Sequence, residues 1–217
     1  MEHAGQQSSH KKTFKQKFLS HKIFQKNNLV LLLTITFLSV STAVAFVLSM
    51  QPTQLTTRAN TTSLTIPAFE DSFVSQSSPT KNYGKDASLK VDLDKTSYLK
   101  FNLASLAGQP VTNAVLRLYV TNDSGSTQEI KEVIDSSWGE TAVTFDNQPV
   151  RGPRVLGQIN GTTINTWKEI DVTSFIIEKA GQTITLGVDA SGANSNNLYV
   201  GSRESSTIPV LGVQTGS

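Results

Sequence analysis

AVLRLYVT, residues 114–121, sends Ala114, Leu116, Leu118 and Val120 to one side of an extended chain and Val115, Arg117 and Tyr119 to the other. Alternation with a period of two is the mark of a strand with one buried face. Short runs of the same kind recur on either side: DSFVS, SLKVDL and YLKFNL before it, then IKEVID, AVTF, RVLGQI, WKEIDV, TITLGVD, LYVGS and PVLGV. Eleven short strands separated by turn residues predict an all-β domain over residues 66–217, a sandwich of two antiparallel sheets. One segment breaks the period. DVTSFIIEKAG, residues 171–181, offers Thr173 or Ser174 as an N-cap, Phe175, Ile176 and Ile177 as an apolar stripe, and Gly181 as a stop. It predicts one short helix that closes an end of the sandwich with Phe175 turned inward.

Outside this domain the chain changes character. Residues 1–28 carry Lys11, Lys12, Lys15, Lys17, Lys22 and Lys26 against Glu2, and residues 29–50, LVLLLTITFLSVSTAVAFVLSM, hold no charge at all. Twenty-two uncharged residues in a helix span about 33 Å at ~1.5 Å per residue, enough to cross a bilayer. The lysines before it favour a cytoplasmic N-terminus, so the expected organisation is a basic cytoplasmic tail (1–28), a single transmembrane signal-anchor (29–50), a Thr-rich stalk (51–65) and the β-domain (66–217) outside the cell. The alternative is a secreted domain released by cleavage near Ala45, where Ala43 to Ala45 read AVA. Residues 51–217 hold the remaining thirteen basic and sixteen acidic residues, a charge of −3, so the overall +2 is no argument for a nucleic-acid partner.

The composition excludes several mechanisms. Cysteine is absent, and the three histidines, His3, His10 and His21, all lie in the tail. The domain therefore has no thiolate nucleophile, no imidazole for a Ser-His-Asp triad and no His or Cys zinc ligand. DSSWGETAVTFDNQPVRGP, residues 135–153, is the densest polar stretch. Trp138 has the most apolar area in it and reads as core. Glu140 and Thr144 are expected to bond turn amides, and Asp146 and Asn147 to bond their own backbone ahead of Pro149. Glu140 and Asp146 carry no mark of a catalytic pair, and no catalytic residue is assigned.

Five segments in order, FEDSFVSQSSPTKNYGKDASLKV, YLKFNLASLAGQPVTNAVLRLYV, SSWGETAVTFDNQPVRG, WKEIDVTSFI and YVGSRESSTIPVLGV, resemble the DNRLRE domain, which belongs with the carbohydrate-binding modules and is related to disaggregatase-type proteins. The naming hexapeptide is missing, and Phe145 stands where that family usually has a second tryptophan. The resemblance implies a jelly-roll β-sandwich at the cell surface that binds a polysaccharide such as a uronate polymer and is not itself an enzyme.

For such a ligand the exposed candidates are Lys81, Tyr83 and Lys85 in TKNYGKD, with Lys90, Arg117, Tyr119 and Lys131. Aromatic rings stack on sugar faces, and cations hold acidic groups. Arg203 has two readings: it grips a uronate, or it forks onto a carboxylate of an adjacent strand. Placed on a strand, Arg203 and Glu204 point to opposite faces. Jelly-roll glycan modules often hold a structural calcium, for which Glu70 and Asp71 are the candidates, with Asp189, Asn194, Asn196 and Asn197 as further oxygen donors. The alternative function is a structural or adhesive surface domain whose partners are other proteins.

Overall fold

A computed structural model of the chain describes residues 61–192 and 197–216. They form eleven strands, one short helix and one 3-10 turn. The strands are β1 (Thr62–Pro67), β2 (Glu70–Ser75), β3 (Ser88–Val91), β4 (Lys95–Asn102), β5 (Val111–Asn122), β6 (Gln128–Val133), β7 (Arg151–Ile159), β8 (Trp167–Asp171), β9 (Thr183–Ala190), β10 (Leu198–Gly201) and β11 (Val210–Thr215); the helix α1 is Thr173–Lys179. Consecutive strands mostly alternate between two antiparallel sheets. β2-β4-β9-β6-β7 form one, and β1-β11-β5-β10-β3 with β8 form the other.

The central strand of the six-stranded sheet is β5, the stretch whose alternation is clearest. One of its edges takes β11 at residues 111–117 and β10 at 120–122, and the other takes β8 at 115–119. Ala114, Leu116, Leu118 and Val120 enter the core between the sheets, where they meet Leu99, Phe101, Ile130, Leu186 and Val188. Phe175 and Ile176 of α1 join the same core, as expected.

A smaller core lies on the other face of the five-stranded sheet. There Trp138, Val143 and Phe145 of the 134–150 segment cover Val74, Tyr98 and Val133. Trp138 is 8% exposed, and its Nε1 donates to Thr185 Oγ1 at 3.0 Å, so the tryptophan is structural as its size suggested. Buried Lys100 lies beneath it, donates to the Trp138 carbonyl and to Glu70, and places its Nζ 4.5 Å from the Trp138 ring centroid.

Three expectations are corrected. AVTF is not a strand: its alternating Val143 and Phe145 are loop residues laid flat on the sheet's outer face, which mimics a strand's period. The count of eleven is made up instead by β1, whose first four residues fall within the span expected to be stalk. Thr62–Thr65 pair with Gly212–Thr215 of β11, and only Leu64 and Ile66 turn towards the core, so this edge strand reads as polar. The N-cap is Val172, which makes no side-chain cap bond, in place of Thr173 or Ser174, and Asp171 before it holds the first turn. Asp171 Oδ1 accepts from the Thr173 amide at 2.8 Å and from its hydroxyl at 2.6 Å, while that hydroxyl also accepts from the Ala114 amide. Gly181 ends the helix with φ of 85°, a conformation that favours glycine. Among the described residues no helix is long and apolar enough to cross a membrane, and residues 29–50 lie outside them.

Candidate functional site

The loop between β2 and β3, residues 76–87, carries the TKNYGKD lysines and is tied to the 134–150 segment. Asn82 donates through Nδ2 to the carbonyls of Glu140 at 2.8 Å and Val143 at 2.7 Å, and the Asp146 amide donates to Pro79 O at 3.1 Å. Gly84 makes the closest approach: a Cβ there would stand 2.2 Å from the Glu140 carbonyl oxygen, so this seam admits only glycine. The Tyr83 ring stacks on Phe73, centroids 4.2 Å apart and planes 23° apart. A loop held by backbone and ring contacts presents its side chains in a fixed arrangement.

Lys81 and Lys85 are exposed on this loop, and among the described residues neither has a carboxylate within 4.0 Å. The Lys81 Nζ sits 4.6 Å from the Tyr83 centroid. Lys90, outward on β3, lies 5.1 Å from the Phe73 ring and 5.5 Å from the Tyr199 ring, with Asp86 3.8 Å away. Lys90 and Tyr199 therefore lie on the β3 edge of the six-stranded sheet, and the buried Phe73 ring of β2 backs the loop that carries Tyr83 and Lys81. Tyr199 and Phe73 are the rings the sequence did not reveal. Phe73 reads as plain core, and Tyr199 acquires its neighbour only when β10 pairs with β3.

The other candidate cations are engaged within the protein. Arg117 Nε donates to Glu169 at 3.0 Å, and Lys131 lies 3.2 Å from Glu129 and 3.5 Å from Asp189. Arg203 forks onto Glu140, Nε to Oε1 at 3.0 Å and Nη2 to Oε2 at 2.7 Å, so the carboxylate-fork reading holds, with the partner on a loop in place of a strand. Arg203 and Glu204 also approach each other, at 3.1 Å, contrary to the opposite-face expectation; they occupy a turn, where strand alternation does not apply. Glu140 likewise differs from expectation: besides Arg203 it accepts from the Asp71 amide of β2 at 3.0 Å, and among the described residues no turn amide donates to its carboxylate.

Asp71, Glu140 and Glu204 bring carboxylate oxygens within 4.8 Å of one another. Burial pushes the Asp71 carboxyl up to about 7; the Arg203 amide, donating to Oδ2 at 2.7 Å, opposes the shift, and Glu204 and Glu140 add to it. Of the calcium candidates, Asp71 belongs to this group and Glu70 does not, being paired with Lys100. The group does not fit calcium as it stands. The guanidinium of Arg203 already supplies the positive charge between Glu140 and Glu204, and a metal ion would have to displace it. Asp189 is held by Lys131 and Arg151, and Asn194 and Asn196 lie outside the described residues.

The fold and the pinned, lysine-bearing loop are the setting for the comparison with known proteins. The sequence matches the model of carbohydrate-binding module family 96 over residues 62–215, from the first residue of β1 to the last of β11, and the chain belongs to that family. It is also 39% identical over 66 residues to a gellan lyase from a Bacillus species, a match spanning 28% of this chain and 3% of that enzyme. Among solved structures, a family 29 carbohydrate-binding module from Piromyces equi overlaps 72% of this chain and 91% of its own at 12% identity and a TM-score of 0.25. The glycoside hydrolase domain of Endo-D from Streptococcus pneumoniae overlaps 70% of this chain and 21% of its own at 15% identity and a TM-score of 0.24. These two overlaps are too slight to argue from, and the assignment rests on the family match.

Proposed function

We propose that this chain is a non-catalytic module that binds an acidic polysaccharide outside the cell, held at the membrane by residues 29–50. The observation that carries the ligand chemistry is the contrast among its cations. Arg117, Lys131 and Arg203 spend their charge on Glu169, Glu129 and Glu140, whereas Lys81 and Lys85 stand exposed on a loop fixed by Asn82 and Gly84. In a domain of charge −4, two lysines without a carboxylate partner beside a third, Lys90, make a local positive spot that selects carboxylated sugars at close range. Tyr83 offers a ring edge beside them.

The experiment is retention of the full-length chain on immobilised polysaccharides, pairing each acidic polymer with a neutral one of the same linkage and including gellan, the polymer in the name of the lyase relative. Acidic polymers should be retained more strongly, with and without calcium. Retention of none would favour the structural or adhesive reading with protein partners. The anchor is tested separately: protease added to intact cells should destroy epitopes on residues 66–217 and spare those on residues 1–28. A secreted domain lacking residues 29–45 would establish cleavage near Ala45 instead.

A further inference from the structure

The two tryptophans have opposite surroundings. Trp138 is buried with its indole N–H satisfied; Trp167 on the edge strand β8 is 38% exposed, and among the described residues its N–H meets no acceptor. An exposed tryptophan with an unused donor is a recognition element more often than a packing one. It does not stand alone. Trp167 pairs in register with Tyr119 of β5, ring centroids 5.3 Å apart in an edge-on arrangement, and the Arg117 guanidinium lies 5.0 Å from the Trp167 centroid, steadied by Glu169.

Strand alternation places this pair on the same sheet face as the lysine end of the site. Leu118, Val120, Leu198, Val200, Leu89 and Val91 all point into the core, so Tyr119, Tyr199 and Lys90 point outward. The strands run in the order β8, β5, β10, β3, and Trp167, Tyr119, Tyr199 and Lys90 occupy one each. Three inter-strand steps of about 4.8 Å make a row of about 14 Å. Tyr199 pairs with Asn122, three residues along β5 from Tyr119, so the row is diagonal and longer than that. Beyond Lys90 the neighbouring loop presents Tyr83, backed by the buried Phe73 ring, and Lys81.

We propose that this diagonal is a track for an extended polysaccharide chain. Sugar faces stack on Trp167 and Tyr199, and the carboxylated end of the bound stretch meets Lys90, Lys81 and Lys85, so the module reads several consecutive units of a polymer. The proposal rests on the polysaccharide-binding reading above and adds the surface, the direction and the preference for length. Rings suit this use because each supplies a large, rigid apolar face at little conformational cost, whatever the order of hydroxyls above it.

The test titrates the full-length chain, in detergent, with a ladder of oligogalacturonates and with polygalacturonate, reading tryptophan emission as well as affinity. Trp138 is shielded, so a ligand-dependent change in emission reports Trp167, and it should persist in Trp138→Phe. Affinity should rise with oligomer length until the track is filled. Trp167→Ala should weaken the polymer on the order of tenfold, leave the shortest bound oligomers unaffected and keep the wild-type melting temperature; Trp167→Phe should recover most of the loss. Polymer binding that depends on Lys81 and Lys85, shows no length dependence and is the same in Trp167→Ala would overturn the track while leaving the binding function intact. Absence of binding by the wild-type chain would overturn both.

Discussion

Arg203 grips both oxygens of Glu140 across 63 positions of sequence, at 3.0 and 2.7 Å, while its own backbone amide holds Asp71. Glu140 in turn accepts from the Asp71 amide, so three segments are joined: the start of the β10–β11 connection, the first residues of β2, and the loop that carries Trp138. Removing the guanidinium leaves two nearly buried carboxylates facing each other. Because Arg203 is itself 40% exposed, the full cost of breaking a buried pair does not apply, and Arg203→Ala should destabilise by about 2 kcal/mol in urea unfolding. Arg203→Lys should recover little, since a single ammonium cannot fork onto Glu140. A lysine variant as stable as the wild type would show that the bidentate geometry is incidental.

Asp71 gives the fold a pH dependence of unusual sign. Its native carboxyl keeps a proton up to about 7, against 3.8 for the ordinary group, so between those values the folded chain binds more protons than the unfolded one. Stability from this group is therefore full below about pH 4, falls as pH rises and is gone above about 7, a change of up to about 4 kcal/mol. Asp135 and Asp171 act oppositely: hydrogen bonds from Ser137 and Thr173 hold them below the usual range, and their contribution is lost in acid. Asp71→Asn isolates the first effect. Its melting temperature relative to the wild type should climb from pH 5 to pH 8, and a flat difference would mean that Asp71 is ionised throughout.

The two tryptophans should separate stability from binding. Trp138→Ala removes the centre of the smaller core and one of the Thr185 hydroxyl's two hydrogen bonds, costing about 3 to 5 kcal/mol, whereas Trp167→Ala on the surface should stay within about 0.5 kcal/mol of the wild type. Chemical denaturation of the pair decides it. Equal losses would place Trp167 in the fold's framework.

Chelation should leave the domain unchanged. With Arg203 supplying the charge between Glu140 and Glu204, added EDTA or calcium is expected to shift the melting temperature by no more than the scatter of the measurement. A calcium-dependent rise would mean that Asp71, Glu140 and Glu204 release the guanidinium to a metal.

Much of this architecture was legible in the chain. The alternation of 114–121 marked the central strand, the period-two runs marked nine more, and the size of Trp138 marked it as core. What failed did so for local reasons. β1 hid because an edge strand buries only Leu64 and Ile66 among threonines, and AVTF deceived because a loop pressed on a sheet also alternates. The site was half visible. NYGK announced a turn with cations, but nothing local tells a paired arginine from a free lysine: Arg117 meets Glu169 only through the β5–β8 register, and Arg203 meets Glu140 across the whole domain. Trp167 and Tyr199 belong to the same row only because β10 was inserted beside β5 late in the sequence.

The most direct measurement is a calorimetric titration of the full-length chain with polygalacturonate and with its methyl ester, which has the same backbone and no charge, for the wild type and the Lys81→Ala, Lys85→Ala double variant. The account predicts tighter binding of the acid form, weakened but not abolished by physiological salt, which shortens the screening length to about 8 Å. It predicts a loss on the order of tenfold in the double variant, worth about 1.4 kcal/mol, with an unchanged melting temperature, since both lysines are exposed and unpaired among the described residues. Equal affinity for the acid and its ester, or an acid-selective affinity that survives loss of both lysines, would contradict it.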